Sequence, residues 1–66
     1  MTPKFEHIEV ELTGTDGNSF AIMGKVKNAL RKNKVSQADI EEYLEEAMSG
    51  DYDNLLVVTM KTVTVF

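Results

Sequence analysis

The chain has 66 residues, a formal net charge of −4 and no cysteine. A chain of this length forms one domain, here residues 1–66, and it has no thiol for a disulfide or a thiolate metal site. No segment approaches the roughly 20 apolar residues that cross a bilayer, and the N-terminus lacks the apolar run of a signal peptide. These features argue against a membrane protein and predict a cytoplasmic one.

The first predicted element is a strand in "FEHIEVEL", residues 5–12, where apolar and polar side chains alternate. Ile8, Val10 and Leu12 share one face, which is the pattern of a half-buried strand with one wet, acidic face. The glycines and turn-forming residues of "TGTDGNS" then end the strand.

A helix is predicted over residues 18–33, with Asn18 or Ser19 as its N-cap. Its apolar residues recur at steps of three and four and form an inner face: Phe20, Met23, Val26 and Leu30, with Ile22 and Ala29 alongside. Gly24 in mid-helix costs about 1 kcal/mol relative to alanine. A close approach by another element would explain that glycine.

A second helix is predicted over residues 37–49. Ser36 serves as its N-cap with Asp39 at N3, and Val35 and Ile40 form a hydrophobic staple. The inner stripe contains Ile40, Leu44, Ala47 and Met48, with Tyr43 at its border. Gly50 is a natural residue to follow the helix end.

The last segment supports two interpretations. Leu56, Met60 and Val63 fit a helical stripe, so a short helix over residues 54–61 and a strand over 62–66 are predicted. The alternative is a single strand over residues 55–66, which the valine and threonine content favours.

The predicted fold class is therefore α+β, in the order strand, helix, helix, short helix, strand. The terminal strand pairs with the first, and helices cover the two-stranded sheet because two strands alone are weak. The predicted core is Ile8, Val10, Leu12, Phe20, Met23, Val26, Leu30, Ile40, Leu44, Met48, Leu56, Met60, Val63 and Val65.

The first two helices have the spacing of a DNA-reading helix-turn-helix, in which the second helix enters the major groove. That helix instead carries five acids and no cation: Asp39, Glu41, Glu42, Glu45 and Glu46. Because DNA is a polyanion, this surface would be repelled. A packed helical hairpin with a solvated acidic face is favoured.

The candidate anion- or partner-binding residues form a cationic surface: Lys25, Lys27, Arg31, Lys32 and Lys34. They are five of the seven cations, and no acid interrupts them. No aromatic side chain lies nearby in sequence to stack on bases. The interpretation favoured here is that these cations are solvated and partly neutralised by the acidic helix.

No catalytic, cofactor-binding or metal-binding residues are predicted. "GTDGNS" lacks the glycines and Lys-Ser/Thr pair of a phosphate loop. "GDYDN" offers Asp51, Asp53 and Asn54 as oxygen ligands but lacks the remaining ligands of a calcium loop, so helix capping is favoured. The single histidine, His7, has only surface carboxylates beside it, and the chain is predicted not to be an enzyme.

The segments "TGTDGNSFAIMGKV" and "SGDYDNLL" resemble a family of small uncharacterised bacterial and phage-associated proteins. The resemblance covers most of the chain and implies a soluble, cytoplasmic protein. It implies no activity and no functional residues.

The function predicted from these features is that of a small non-enzymatic accessory protein that acts by protein–protein contact with an unidentified partner. Free strand edges also allow a weak homodimer beside the monomer. The alternative is a nucleic-acid-associated regulator that binds through the cationic surface of the first helix.

Overall fold

The computed structural model describes residues 2–14 and 17–66 and confirms the α+β class. Two parallel strands are joined through three helices, in the order β1 Phe5–Val10, α1 Ser19–Lys32, α2 Gln37–Ala47, α3 Tyr52–Thr62 and β2 Val63–Val65. No helix of the described ranges has the length and apolar character to cross a membrane. The alternative of one strand over residues 55–66 is wrong, because most of that segment is α3.

The two strands pair in parallel, with Phe5 opposite Val63 and Val10 opposite Val65. Between Phe5 and Glu9 the register of the pairing is irregular. Glu6 and His7 are both exposed in this stretch, whereas the side chains of a regular strand would alternate. Strand β1 ends at Val10 rather than at residue 12 as predicted.

The pairing extends beyond β2 through backbone hydrogen bonds at the C-terminus. The amide of Phe66 donates to the carbonyl of Val10 over 3.1 Å, and Leu12 donates to the carbonyl of Phe66 over 2.7 Å. A parallel ladder needs a long crossover connection, and here the three helices provide it. The first strand and the last residues are thereby joined.

The end of α1 is a Schellman motif, two residues before α2 is capped. The amide of Val35 donates to the carbonyl of Leu30 over 3.0 Å, and Lys34 donates to Arg31 over 3.0 Å. Lys34 takes the left-handed conformation that this motif requires, with φ of 61°. The orphan carbonyls at the end of α1 are therefore satisfied within the turn.

The predicted caps are confirmed at Asn18, Ser36 and Asp51. Asn18 accepts a hydrogen bond from the amide of Phe20 over 2.8 Å, and Ser36 accepts one from Asp39 over 3.2 Å. Asp51 accepts from the amide of Asn54 over 2.9 Å and so begins α3. Each side chain satisfies an amide that has no partner inside its helix.

The helices and the apolar side of the sheet enclose one core. Its buried residues are Ile8, Val10, Ile22, Met23, Val26, Leu30, Ile40, Tyr43, Ala47, Leu55, Val58 and Val63, with Thr59 and Thr62. Four predicted members are only partly buried: Leu12, Leu44, Leu56 and Val65. Three are wrong, because Phe20, Met48 and Met60 are exposed.

Helix α3 is longer than predicted and buries a different stripe. Leu55, Val58, Thr59 and Thr62 face the core at helical spacing, whereas Leu56 is half-buried and Met60 lies outside. The threonines are tolerated inside because each hydroxyl has a partner: Thr62 donates to the carbonyl of Val58 over 2.7 Å. The prediction followed the apolar residues and so placed the inner face one residue away.

Gly24 and Gly50 do not have the structural roles that were predicted for them. A Cβ added at Gly24 would meet nothing within 4 Å, so the expected close approach at that position is wrong. Helix α2 ends at Ala47 with Met48 as its C-cap, two residues earlier than predicted. Gly50 is needed instead because an added Cβ would lie 2.9 Å from Cβ of Asn54.

Candidate functional site

Three large apolar side chains from three separate helical elements project into solvent beside one another. Phe20 of α1 is 75% exposed, Met48 at the end of α2 is 60% exposed and Tyr52 at the start of α3 is 44% exposed. They border a concavity of about 240 Å³, and the buried Met23, Ala47 and Leu55 form its inner wall. We call this surface the apolar groove.

Local structure positions each rim residue. Phe20 follows directly on the Asn18 cap in the first turn of α1, outside the buried stripe of that helix. Met48 is the C-cap of α2, and Tyr52 is the first residue of α3, directly after its N-cap. The groove therefore lies where one helix ends and two others begin.

The short α2–α3 connection is held in place by side-chain contacts. The amide group of Asn54 donates to the carbonyl of Glu46 over 2.9 Å, and the hydroxyl of Ser49 donates to the same carbonyl over 2.7 Å. The close packing of Gly50 on Asn54 adds a steric restraint. Met48 and Tyr52 flank this connection, so these contacts help to fix their positions.

Sequence reasoning placed Phe20 and Met48 in the core and did not single out Tyr52 as functional. A signal was available: on helical wheels Phe20 and Met48 lie well away from the centres of the stripes formed by Ile22, Val26 and Leu30 and by Ile40, Tyr43 and Ala47. Only the tertiary structure shows that these two residues, which come from different helices, are neighbours.

Two other concavities have a different character. The larger, about 630 Å³, is an open depression on the outer side of α2, lined by Ala38, Ser49 and four glutamates: Glu41, Glu42, Glu45 and Glu46. Since α2 and Ser49 just beyond it supply its walls, this depression is the acidic face that the sequence predicts. The smaller, about 180 Å³, contains the Lys4–Asp39 ion pair, whose charged atoms lie 3.5 Å apart.

The residues of the cationic surface do not form one continuous face. A helix turns about 100° per residue, so Lys27 and Arg31 lie on one flank of α1, and Lys25 and Lys32 lie on the other. Lys34 follows the helix in the left-handed turn. The structure spreads these cations around the end of α1, and their role in binding stays a prediction.

For four residues of the cationic surface, no ion pair with the acidic helix is observed in the described part of the chain. Within residues 2–14 and 17–66, the Lys27, Arg31, Lys32 and Lys34 side chains form no ion pair with a carboxylate. Asp39 of α2 instead pairs with Lys4, which precedes β1. Most acids of α2 and most cations of α1 are exposed to solvent, whereas Asp39 and Lys27 are half-buried.

The other residues that sequence reasoning weighed have structural roles where the structure describes them. Asp51 caps α3, as predicted. His7 is exposed on β1. The predicted turn "TGTDGNS" contains Thr15 and Asp16, which lie outside the described residues, while Gly14 adopts the left-handed conformation with φ of 78°.

Tyr43 is a titratable residue whose phenol is buried. Burial raises the pKa of its phenol, and the hydrogen bond with Thr59 partly offsets that rise. The hydroxyl group lies 2.8 Å from the Thr59 hydroxyl and is enclosed between α2 and α3. A phenol that holds its proton inside a core has a packing role.

Comparison of the chain with protein-family models, with curated proteins and with solved structures finds no match. The resemblance carried by "TGTDGNSFAIMGKV" and "SGDYDNLL" therefore stays a prediction. The apolar groove is interpreted below from its own geometry and chemistry.

Proposed function

We propose that this protein is a small non-enzymatic binding or accessory protein that acts by contact with another protein through the apolar groove. The observation that carries the proposal is the convergence of Phe20, Met48 and Tyr52 around one concavity. Aromatic residues and methionine are the types enriched where proteins bind each other. Their exposure in a domain this small is otherwise unfavourable, because few apolar residues are available for its core.

Several features of the groove suit a protein partner. A buried inner wall and a rim of flexible or amphipathic side chains resemble the pockets that receive anchor residues at interfaces. Methionine adapts its shape to different contacts, and tyrosine combines a large apolar area with a polar end. Such a role needs neither a catalytic group nor a cofactor, and the sequence predicts neither.

The proposal is tested by comparing two double variants as affinity baits in extracts of the source cell. Phe20→Ser with Met48→Gln removes the groove rim, and Phe66→Ser with Met60→Gln removes an exposed phenylalanine and methionine elsewhere. We expect the parent and the second variant to recover the same partner in equal amounts. The first variant should fail to recover it. Equal recovery of every captured protein by both variants would contradict the proposal.

The alternative function, nucleic-acid binding through α1, has one observation in its favour. The Lys27, Arg31 and Lys32 side chains lack ion pairs with described carboxylates and are thus available to phosphates. Against it stand the net charge of −4 and the spread of these cations over two flanks. Protein–protein contact is therefore the better-supported function.

A titration separates the two functions. Labelled DNA and RNA are added to the protein at low and at physiological salt, with a Lys27→Glu, Arg31→Glu, Lys32→Glu variant as control. Binding that weakens steeply with salt and disappears in the variant would support the alternative. Absence of binding at low salt would eliminate it.

A further inference from the structure

The inference drawn here rests on the proposed function and identifies the chemistry of the partner. The groove volume of about 240 Å³ is below the roughly 300–1,000 Å³ of typical small-molecule sites. A space of this size suits one or two apolar side chains presented by a polypeptide. The occupant is therefore expected to be a segment of protein with an apolar anchor.

The formal charge on the lining of the groove is negative. Among its lining residues, Asp51 carries the formal charge, and it is exposed. Residues 36–53, which supply α2 and the beginning of α3, contain seven acids and no cation. Residues 18–24, which supply the first turns of α1, contain no charged residue. The lining of the groove thus carries negative charge only, and the cations of α1, from Lys25 onward, lie outside it.

The N-termini of α1 and α3 do not turn the groove into a site for anions. A helix N-terminus favours an anion through its free amides and its dipole. Here Asn18 already accepts from the amide of Phe20, and the carboxylate of Asp51 accepts from the amide of Asn54. One of these two caps, Asp51, is itself an anion, so it would repel a negatively charged partner.

A second copy of this chain fits the groove poorly. An isologous contact through it would place Asp51 of both copies in one interface, at a net charge of −4 for each chain. Like charges placed across an interface oppose association. Phosphate-bearing surfaces are disfavoured for the same electrostatic reason.

We propose that the apolar groove binds a cationic amphipathic segment of a partner protein. Its apolar residues enter between Phe20, Met48 and Tyr52, and its lysine or arginine residues face Asp51 and the acidic end of α2. The apolar contacts provide most of the affinity, and the charges orient the segment and select against acidic ones.

The probe is a synthetic helical peptide with leucine at positions i, i+3, i+4 and i+7 and lysine elsewhere. Two matched peptides accompany it: one has glutamate for every lysine, and one has serine for every leucine. Each is titrated into isotope-labelled full-length protein at low and physiological salt, and amide resonance shifts are recorded. We expect saturable binding of the leucine–lysine peptide alone, with the largest shifts at Phe20, Met48 and Tyr52.

Variants of the protein then assign the contacts. Phe20→Ser with Met48→Gln should weaken binding by about tenfold or more, whereas Phe66→Ser with Met60→Gln should leave it unchanged. Asp51→Asn removes the charge but keeps a good N-cap, so it should weaken binding several-fold without lowering the melting temperature. Asp53→Asn, in the first turn of α3, is the matched charge control.

The outcomes distinguish this inference from the function on which it rests. Equal or tighter binding of the glutamate peptide would overturn the cationic partner, as would binding on the outer face of α2 that ignores the groove variants. A homodimer that the groove variant abolishes would also overturn it. If the groove variant loses its cellular partner while no peptide of the set binds, the proposed function stands and this inference fails.

Discussion

The hydroxyl groups of Tyr43 and Thr59 lie 2.8 Å apart and join α2 to α3 inside the core. Both residues are buried, and among the described residues no buried side-chain polar atom lacks a partner. Each hydroxyl therefore offsets the free-energy cost of removing the other from water. This pair explains why a threonine-bearing face of α3 packs inward.

Replacing Tyr43 by phenylalanine should destabilise the protein by about 1–2 kcal/mol, because the Thr59 hydroxyl then remains buried without its partner. Denaturant unfolding followed by circular dichroism measures the change. Tyr52→Phe is the control, since that side chain is partly exposed, and it should alter stability by less than about 0.5 kcal/mol. Equal stabilities for the two variants would contradict the role of the pair.

The same residue predicts a loss of stability at alkaline pH. Burial raises the pKa of Tyr43 in the folded protein above its ordinary value of about 10. Below that value both states hold the phenolic proton, so stability does not change through this group. As pH rises further, the unfolded chain releases the proton first, and stability falls through the folded pKa.

Unfolding free energies of the parent and of Tyr43→Phe, measured across this alkaline range, test the assignment. The parent should lose stability more steeply with pH than the variant, because the variant has no proton to release at that position. The other alkaline groups are common to both proteins and cancel in the difference. Parallel curves would show that Tyr43 does not titrate differently on folding.

Substitution by alanine is expected to have opposite effects on stability at two glycines. Gly24→Ala should stabilise the protein by about 1 kcal/mol, because the new methyl group meets open space and alanine favours the helix. Gly50→Ala should destabilise it by about 1–2 kcal/mol, because its Cβ would lie 2.9 Å from Asn54 and displace that residue from its bond to Glu46. Thermal unfolding of both variants checks the pair, and effects of the same sign would contradict it.

Replacing Lys34, which follows α1, by glycine is expected to stabilise the protein, unlike the same change at a cation within α1. Its φ of 61° is unfavourable for a side chain with a Cβ and natural for glycine at this position of a Schellman motif. Lys34→Gly should therefore raise the unfolding free energy by about 0.5–1 kcal/mol. Lys27→Gly, inside the helix, should lower it by about 1 kcal/mol, and chemical denaturation measures both.

Much of the framework was predictable because it depends on neighbours in sequence. Ser36 and Asp51 act as caps through amides three residues away, so the pattern suffices to find them. The alternation of Ile8 and Val10 likewise predicts one buried strand face. The missed features depend on distant partners: Thr59 is buried because Tyr43 lies opposite, and Gly50 is required by the position of Asn54.

The sequence by itself determined the α+β class, the order of the elements, the helix caps and the separation of basic from acidic segments. These are consequences of local periodicity, capping chemistry and composition. The tertiary structure alone decided that the strands run parallel, which of two adjacent stripes each helix buries, and that Phe20, Met48 and Tyr52 meet around one groove. A helix with apolar residues beyond its inner face can turn either group inward, and only the packing of all three helices selects between them.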